Sequence, residues 1–368
     1  MKRMMGLVAT NYAYETFGQL TAERPLASLP FGGRYRLIDF PLSNMANSGI
    51  TTVGLITPYM YRSLMDHVGV GKEWTLSRKV GGMFFLPGSI YGLKNIRGKF
   101  LLRDIIQNRV FLERGGRDLV VVSAANKLFS IDYREVARQH EELGADITLL
   151  YKSNYVPIDG ERESYLELSN SGRVTRIAEG RADGDNCFLD AFIIEVELLL
   201  QFLTWYESMG YMDIMEVFAE NLDKMNVRGY AFNGYVGNVS GPESYMAVNR
   251  DLLKREVRSD LFPEDRTVNT KVQDAAPTIY APGSRVRNSL VTTGCAIEGT
   301  VEDSILFRGV HVAPGAVLKN CVIMQHCEIG PNVELENVIC DKYARFRGGV
   351  RISGSTDMPI IVSKGQQV

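Results

Sequence analysis

The chain has 368 residues, of which 45% are hydrophobic and 23% are charged, and its formal net charge is −2. This composition predicts a globular protein of about two domains, and the small negative charge excludes the basic field of a nucleic-acid binder. No apolar stretch reaches the ~18 residues that span a bilayer, and the apolar run in MKRMMGLVAT is too short for a signal peptide. We therefore expect a cytoplasmic protein without membrane or nucleic-acid partners.

The five cysteines form no CxxC pair, and no export signal accompanies them. This pattern favours neither a metal centre nor a disulfide framework. We expect reduced, buried, small side chains at these positions: Cys187, Cys295, Cys321, Cys327 and Cys340.

Short apolar runs alternate with helical patterns from Gly6 to about Ile194, which is typical of a parallel sheet covered by helices on both faces. The runs TTVGLIT (51–57), LVVVS (119–123) and ITLLY (147–151) predict strands that are buried on both faces. The predicted fold class is therefore α/β, with a Rossmann-like nucleotide-binding layer.

Two helices are predicted beside these strands. The first covers about 101–114 and ends at a glycine pair, and its apolar face consists of Leu102, Ile105, Ile106 and Val110. The second begins at Asp132, where Asp132-x-x-Glu135 resembles a capping box, and Gly144 ends it. On the second helix we expect His140 at the surface or flank.

The stretch PFGGRYRLIDFPLSNMANSGI (30–50) combines a tight turn, two arginines, an apolar strand and a helix start. Gly32 and Gly33 allow main-chain amides to approach a ligand, and Arg34 and Arg36 add charge that can meet a phosphate. An ordinary strand entry with two solvated arginines is equally consistent with these residues.

The C-terminal part changes character. A charged helix is predicted over 245–262, and Pro263 with the polar residues after it predicts a link over 263–279. Beyond it, the segments beginning at Ser304, Cys321 and Val338 repeat with a period of about 17 residues. Aliphatic residues recur six apart between Gly, Pro or Asn corners: Val317, Ile323, Ile329 and Leu335. The pattern predicts a left-handed parallel β-helix over 280–368, with an antiparallel sandwich as the alternative.

Several motifs together resemble one family. GGRYRLIDFPLSNMANSGI, the WTLSR motif with Gly81-Gly82 and Leu86-Pro87, and the segment from Glu243-Ser244-Tyr245 to Leu252 are similar to bacterial glucose-1-phosphate adenylyltransferase (ADP-glucose pyrophosphorylase). That family makes ADP-glucose, the glucosyl donor for glycogen, from ATP and glucose 1-phosphate. The resemblance covers nearly the whole chain and implies a nucleotidyltransferase domain over 1–262.

The same resemblance exposes departures from the family's site. The family's glycine-rich loop after the first strand, which wraps a triphosphate, is replaced by ATNYAYETFGQLT. This segment puts Tyr12, Tyr14 and Glu15 where nucleotide phosphate would lie. The two aspartates that hold Mg²⁺ in the family align with Asn126 and Asn238, so the metal site is expected to be lost and no cofactor is expected.

The sugar-phosphate side departs as well. The family's Glu-Lys-Pro, whose lysine meets glucose 1-phosphate, aligns with Glu179-Gly180-Arg181, so Gly180 replaces the lysine and Arg181 is a displaced substitute at best. Arg34 keeps a basic position that the family links to a phosphorylated effector. The chain thus retains an effector position while its catalytic positions are degenerate.

These departures favour the family's non-catalytic regulatory subunit over its enzyme. We expect a phosphorylated-sugar effector and a tetramer, homo- or hetero-oligomeric, with a catalytic glucose-1-phosphate adenylyltransferase subunit. The alternatives are an active enzyme with rearranged ligands, or an acyltransferase that uses His311 or His326 of the β-helix as general base. Both histidines lie inside repeat units, where corner or face positions are the simpler interpretation.

Overall fold

The computed structural model describes residues 2–90, 98–158, 163–180 and 186–368. Within those ranges the N-terminal part is built on a nine-stranded sheet in the order β7-β6-β8-β4-β1-β2-β3, and β5 pairs with β8 and β9. The strands are Met4–Ala9 (β1), Thr52–Thr57 (β2), Gly82–Pro87 (β3), Leu119–Ala124 (β4), Ile147–Lys152 (β5), Ser164–Leu168 (β6), Val174–Glu179 (β7), Cys187–Glu195 (β8) and Val227–Ala231 (β9).

Helices cover both faces of this sheet. The α-helices are Asp39–Asn47, Arg62–Val68, Leu102–Gln107, Arg109–Gly115, Tyr133–Glu142, Val196–Trp205, Ile214–Glu220, Pro242–Asp251 and Arg255–Leu261. Short 3₁₀ helices lie at Glu15–Thr21, Leu26–Ser28, Lys72–Trp74 and Glu207–Met209, and two-stranded pairs join Pro30–Phe31 to Tyr35–Arg36 and Lys127–Leu128 to Gly237–Asn238. Among the described residues, no helix is both long and apolar enough to cross a bilayer.

The three predicted strands are confirmed as β2, β4 and β5, but the sheet is mixed, so the expectation of a purely parallel sheet is wrong. β1 pairs in parallel with β2 and β4, whereas β8 lies antiparallel between β4 and β5. β8 is buried over almost its whole length. A strand with two buried faces is apolar in either direction, so its composition cannot report its orientation.

The helix predicted over 101–114 is divided at Asn108. The Asn108 side chain donates to the Asp104 carbonyl at 2.7 Å and to the Pro87 carbonyl at 2.9 Å. The amide thereby takes the carbonyl that an unbroken helix would offer to the Asn108 N–H. The second helix, Arg109–Gly115, buries a different side from the one that a continuous helix would bury. Val110 is therefore 52% exposed, although the sequence pattern predicts it on the buried face.

The helix after Asp132 forms, but its cap and its histidine differ from the expectation: Asp132 caps it through the Arg134 N–H instead of through a capping box with Glu135. The Asp132 carboxylate accepts the Arg134 N–H at 2.9 Å, and Gly144 takes the left-handed conformation after the last turn. His140 is only 1% exposed, so its expected surface position is wrong. It shares the inward stripe with Val136, and its Nδ1 lies 2.8 Å from the Thr148 hydroxyl on β5.

The segment predicted as one charged helix forms two, Pro242–Asp251 and Arg255–Leu261. No helix or strand occupies the described chain between Leu261 and Ile279, where the first strand of the C-terminal part begins.

The C-terminal part is a left-handed parallel β-helix, and the antiparallel sandwich is wrong because all its strand pairs are parallel. Its first sheet holds Ile279–Tyr280, Ala296–Ile297, His311–Val312, Glu328–Ile329 and Arg345–Phe346. The second holds Arg285–Arg287, Thr300–Glu302, Val317–Lys319, Glu334–Glu336 and Arg351–Ser353, and the third holds Leu290–Val291, Ile305–Leu306, Val322–Ile323, Val338–Cys340 and Ile360–Val362.

The interior of the β-helix follows the predicted repeat with one correction. Ile323, Ile329 and Leu335 are buried inside, but Leu318 takes the inward place expected for Val317. The corners after the second sheet use residues with left-handed backbone: Asn288, Asp303, Asn320 and Asn337. Asparagine tolerates this conformation better than most residues, and its amide bonds to the next coil, as in the contact from Asn337 Nδ2 to the Gly354 carbonyl at 3.0 Å. All five cysteines are free and buried.

The third sheet of the β-helix packs against the N-terminal part. Ile305, Val322 and Ile339 project outward from that sheet and join the apolar cluster that contains Phe31 and Tyr245. The other two sheets of the β-helix therefore carry its solvent-facing sides.

Candidate active-site cleft

The candidate cleft lies where β1 and β4 end. These strands are parallel neighbours, so the residues that follow them meet at one edge of the sheet. Tyr12 and Tyr14 follow β1, and Asn126 follows β4. The Tyr12 hydroxyl accepts the Ala125 N–H at 2.8 Å and donates to Asn126 Oδ1 at 3.4 Å, while the Tyr14 hydroxyl accepts from Asn126 Nδ2 at 3.4 Å.

The two tyrosines fill this edge with aromatic rings. Tyr12 is 3% exposed and Tyr14 is 5% exposed, and their rings meet edge to face at 6.2 Å. Burial raises the pKa of Tyr14 to about 12 and also raises the pKa of Tyr12, so both phenols are neutral. Glu15, by contrast, is exposed at the start of its 3₁₀ helix. This edge of the sheet therefore presents aromatic rings and neutral hydroxyls, whereas a triphosphate is bound by backbone amides and cations.

The two asparagines expected at the metal positions come together. The pairing of Lys127–Leu128 with Gly237–Asn238 places Asn126 Nδ2 3.4 Å from Asn238 Oδ1. Both side chains are buried. Asn126 Nδ2 also donates to Asp190 at 3.2 Å, and Asn238 Nδ2 donates to Glu163 at 3.0 Å.

A buried ion cluster, which sequence reasoning missed, lies beneath these amides and consists of Lys99, Lys127, Glu163 and Asp190. Lys127 Nζ lies 2.6 Å from Glu163 Oε2 and 3.1 Å from Asp190 Oδ2. Lys99 Nζ lies 2.6 Å from Asp190 Oδ2 and 3.4 Å from Glu163 Oε2. Two ammonium groups thus balance two carboxylates inside the protein.

Electrostatics favour the charged forms of Lys99, Lys127 and Glu163. Burial opposes the charged forms, but the carboxylates of Asp190 and Glu163 outweigh it and raise the pKa of Lys99. Burial likewise opposes the charge of Glu163, yet Lys127 and Lys99 hold its pKa well below its usual range. Of the four residues in the cluster, only Asp190 stands out in the sequence as a charged residue within an apolar strand. It interrupts the apolar run of β8, where the structure places it at a bulge with a φ of 53°.

The donors of the cleft do not fit the Mg²⁺ that the family's fold implies. A hard divalent cation needs anionic oxygens that are free to coordinate it. The two positions in question carry neutral amides, and the nearby carboxylates of Glu163 and Asp190 already bind two ammonium groups. Among the described residues, no group of three or more His, Cys, Asp or Glu is placed to hold a metal ion.

The sugar-phosphate side retains a cavity of about 330 Å³ lined by Lys99, Glu179, Asp190 and Met215. Gly180 lies beside it with a φ of 76°, and its N–H donates to the Glu163 carbonyl at 3.0 Å. It therefore offers no side-chain cation. Arg181, the displaced substitute, lies outside the described residues.

Arg34 lies apart from this cleft, near the β-helix. Its side chain is exposed, with the guanidinium 5.4 Å from the Tyr35 ring centre. The neighbouring Arg36 turns inward and donates to the Ser63 carbonyl at 2.7 Å. Burial, only partly offset by the carboxylate of Asp39, lowers the pKa of Arg36 to about 10.

A cationic boundary patch lies between the two parts of the chain and consists of Arg24, Arg36, Lys342 and Lys364. Arg24 pairs with Asp341 at 2.6 Å, and Lys364 pairs with Glu23 at 2.7 Å. Burial first, and then the charges of Arg36 and Arg24, lower the pKa of Lys342 to about 7. A small cavity of about 150 Å³ is lined by Arg24, Lys342 and Lys364 and by the carboxylates of Glu23 and Asp341. An anion bound there would meet three cations, of which Lys342 has no carboxylate paired with it among the described residues of this cavity.

The two β-helix histidines are separate from each other. His311 lies on the first sheet with Nε2 2.9 Å from Glu298, and His326 occupies a left-handed corner and stacks on Tyr343 at 5.4 Å. These are the face and corner positions expected for them.

A mixed α/β sheet with a cleft at the ends of β1 and β4, joined to a left-handed β-helix, defines the class of nucleotidyltransferases that carry hexapeptide repeats. The family described as nucleotidyl transferase matches residues 17–180, and the family described as GlmU-like, C-terminal hexapeptide, matches residues 280–357.

Full-length relatives identify the family. The "Glycogen biosynthesis protein GlgD" of Bacillus subtilis (strain 168) is 33% identical, and that of Geobacillus stearothermophilus is 34% identical, each over 99% of this chain and 96% of its own length. The glucose-1-phosphate adenylyltransferase of Clostridium perfringens (strain 13 / Type A) is 30% identical over 99% of this chain and 94% of its own. The chain belongs to the glucose-1-phosphate adenylyltransferase family, as its motifs predict.

Proposed function

We propose that this chain is a regulatory, non-catalytic subunit of glucose-1-phosphate adenylyltransferase that serves glycogen biosynthesis in the cytoplasm. In this proposal it forms a tetramer with a catalytic subunit of the same family and modulates that partner through the subunit interface. The names of its relatives place two of them in glycogen biosynthesis and one among adenylyltransferases. The observation that carries the non-catalytic part is the set of buried tyrosines and neutral amides that fills the edge of the sheet at the ends of β1 and β4.

Adenylyl transfer needs a metal and a phosphate cradle to act together, since positioning and charge neutralisation lower the barrier jointly. Here Tyr12 and Tyr14 take the space of the cradle, and the two ammonium groups of the buried ion cluster occupy the carboxylates that remain. One altered ligand would be compatible with a weakened enzyme. Together these changes remove both the metal ligands and the phosphate cradle. The tyrosine hydroxyls and asparagine amides that take their place form hydrogen bonds with one another.

A phosphorylated-sugar effector belongs to the same proposal. Arg34 is exposed and acts electrostatically on Arg308 of the β-helix, whose pKa is lowered by burial first and then by the charge of Arg34. The cationic boundary patch, which includes Arg36 two residues further along the chain, likewise lies where the β-helix meets the N-terminal part. A phosphate bound there would contact both parts of the chain at once. Such an effector can change the packing of the two parts and thereby the subunit interface.

The decisive assay measures ADP-glucose formed from ATP and glucose 1-phosphate at saturating Mg²⁺ by the purified chain. The chain alone should give no product above a protein-free blank. It should co-purify with the catalytic paralogue of its own cell and change the activity of that paralogue. Turnover by the chain alone at ~1 s⁻¹ or faster would refute the proposal in favour of an active glucose-1-phosphate adenylyltransferase.

A further inference from the structure

One solvent-facing side of the β-helix carries an ordered set of charges. The second sheet presents two outward side chains from each of five coils, here called the charged face. In coil order these are Arg285 and Arg287, Thr300 and Glu302, Val317 and Lys319, Glu334 and Glu336, and Arg351 and Ser353. In the three middle coils the residue between each pair is buried inside the β-helix, so only the paired side chains face outward there.

We propose that the charged face binds the charged face of a second copy of this chain, with the two β-helices antiparallel. The reason is that the charge sequence along the coils, +2, −1, +1, −2 and +1, is complementary to itself when it is reversed and shifted by one coil. A twofold axis parallel to the strands, passing between the coils of Glu302 and Lys319, produces this alignment. It is the symmetry of an isologous dimer.

The outward side chains form two columns along the β-helix, one from the first and one from the last residue of each strand. In the proposed alignment each column faces the same column of the other copy. Arg285 faces Glu334 of the other copy, and Arg287 faces Glu336. Nearest the axis Glu302 faces Lys319, and the uncharged Thr300 and Val317 face each other. Every charged group of the first four coils therefore meets its opposite, and no like charges are opposed.

Other alignments are disfavoured by the same charges. If the two β-helices are parallel, each coil faces the same coil of the second molecule, and the arginines of the two first coils repel one another. With the order reversed and unshifted, Arg285 faces Arg351 and Glu302 faces Glu336, so like charges are opposed. A shift by one coil in the opposite sense leaves Thr300 against Arg351 and Glu302 against Ser353, so it satisfies fewer charges.

Ion pairs within one chain leave the charged groups of this face accessible to another molecule. Arg287 lies 3.4 Å from Glu302, and Arg351 lies 3.1 Å from Glu334, but both arginine side chains stay more than 70% exposed. Lys319 is exposed and has no ion-pair partner among the described residues. The ammonium at the centre of the face is thus available to a carboxylate on another molecule.

The test is sedimentation equilibrium of the full chain at about 0.05 M and about 0.5 M NaCl, since screening at high salt weakens contacts between exposed charges. The unaltered chain should dimerise, and more weakly at high salt. Lys319→Glu and Glu302→Lys should each raise the dimer dissociation constant about tenfold or more, because each places like charges opposite one another twice across the axis. Melting temperatures monitor folding.

Two further experiments, a mixture of the single variants and a double variant, distinguish self-association from other effects of the substitutions. A mixture of the Lys319→Glu and Glu302→Lys chains should form a mixed dimer, and the double variant should regain the original affinity, because opposite charges then face each other again. Matched controls on the first sheet are Glu328→Lys and Arg345→Glu, which break an ion pair of 3.2 Å on the other exposed side and should leave the dimer unchanged.

Three results would overturn the proposal. The chain is monomeric at both salt concentrations up to about 100 μM; the two single variants lower only the melting temperature; or the double variant dimerises no better than the singles. The second outcome would mean that the charges act only within the ladder of one chain. The third would assign the face to a partner of different sequence.

Discussion

The buried ion cluster makes the sharpest prediction about stability, and Lys127→Met is the perturbation that tests it. Lys127 is 2% exposed and lies within 3.1 Å of both carboxylates. Its removal leaves Glu163 and Asp190 with the single ammonium of Lys99. Breaking a buried pair by removing one partner typically costs about 3 to 5 kcal/mol, so we expect the free energy of unfolding to fall by that amount.

Urea unfolding followed by tryptophan fluorescence measures this loss in the right part of the chain, because both tryptophans, Trp74 and Trp205, lie in the N-terminal part. The double variant Lys127→Met with Glu163→Gln removes one charge of each sign and should recover most of the loss. Lys254→Met is the matched control: Lys254 pairs with Asp251 at 2.7 Å but is 65% exposed, so it should cost less than about 1 kcal/mol.

The same cluster predicts a pH dependence. Burial opposes the charge of Glu163, but Lys127 and then Lys99 together outweigh it and hold the pKa of this carboxyl well below its usual range. A lowered pKa means that the stabilisation is present above the unfolded value of about 4.3 and disappears as the pH falls through the folded value. Lys127→Met should therefore lose less stability at low pH than at pH 7. A cost below about 0.5 kcal/mol at pH 7 would refute the reasoning, since surface substitutions give values of that size.

Three further predictions concern function. Asn126→Asp with Asn238→Asp should yield no ADP-glucose above the unaltered chain at saturating Mg²⁺, because the tyrosines remain; robust product formation would contradict this. Arg34→Ala should shift the effector half-saturation of the mixed complex about tenfold and leave assembly intact, and an unchanged activation curve would return Arg34 to the solvated surface. Lys342 gains its charge as the pH falls below about 7, so sulfate, which remains a dianion throughout this range, should bind the boundary patch more tightly at pH 6 than at pH 8. Calorimetry measures this, and in Lys342→Met the difference should shrink.

Local patterns of the sequence determined a large part of this protein. The 17-residue repeat follows from the chemistry of single coils, because each turn needs inward aliphatics such as Ile323 and corner residues such as Asn320 that tolerate a left-handed backbone. The absence of glycine between Gly6 and Gly18, and the presence of Tyr12 and Tyr14 there, is likewise a property of consecutive residues, and the family resemblance implies that a phosphate-binding loop is missing. These features require no knowledge of distant contacts.

Tertiary structure decided what depends on segments that are far apart in the chain. The direction of β8 depends on the strands beside it, because an apolar strand has the same composition whether it runs parallel or antiparallel to them. The burial of His140 depends on the strand that its helix packs against. The buried ion cluster brings together Lys99, Lys127, Glu163 and Asp190 from four separate segments. A single lysine or glutamate in a sequence resembles a solvated surface residue, because only the packed sheet removes water from it and supplies the opposite charge.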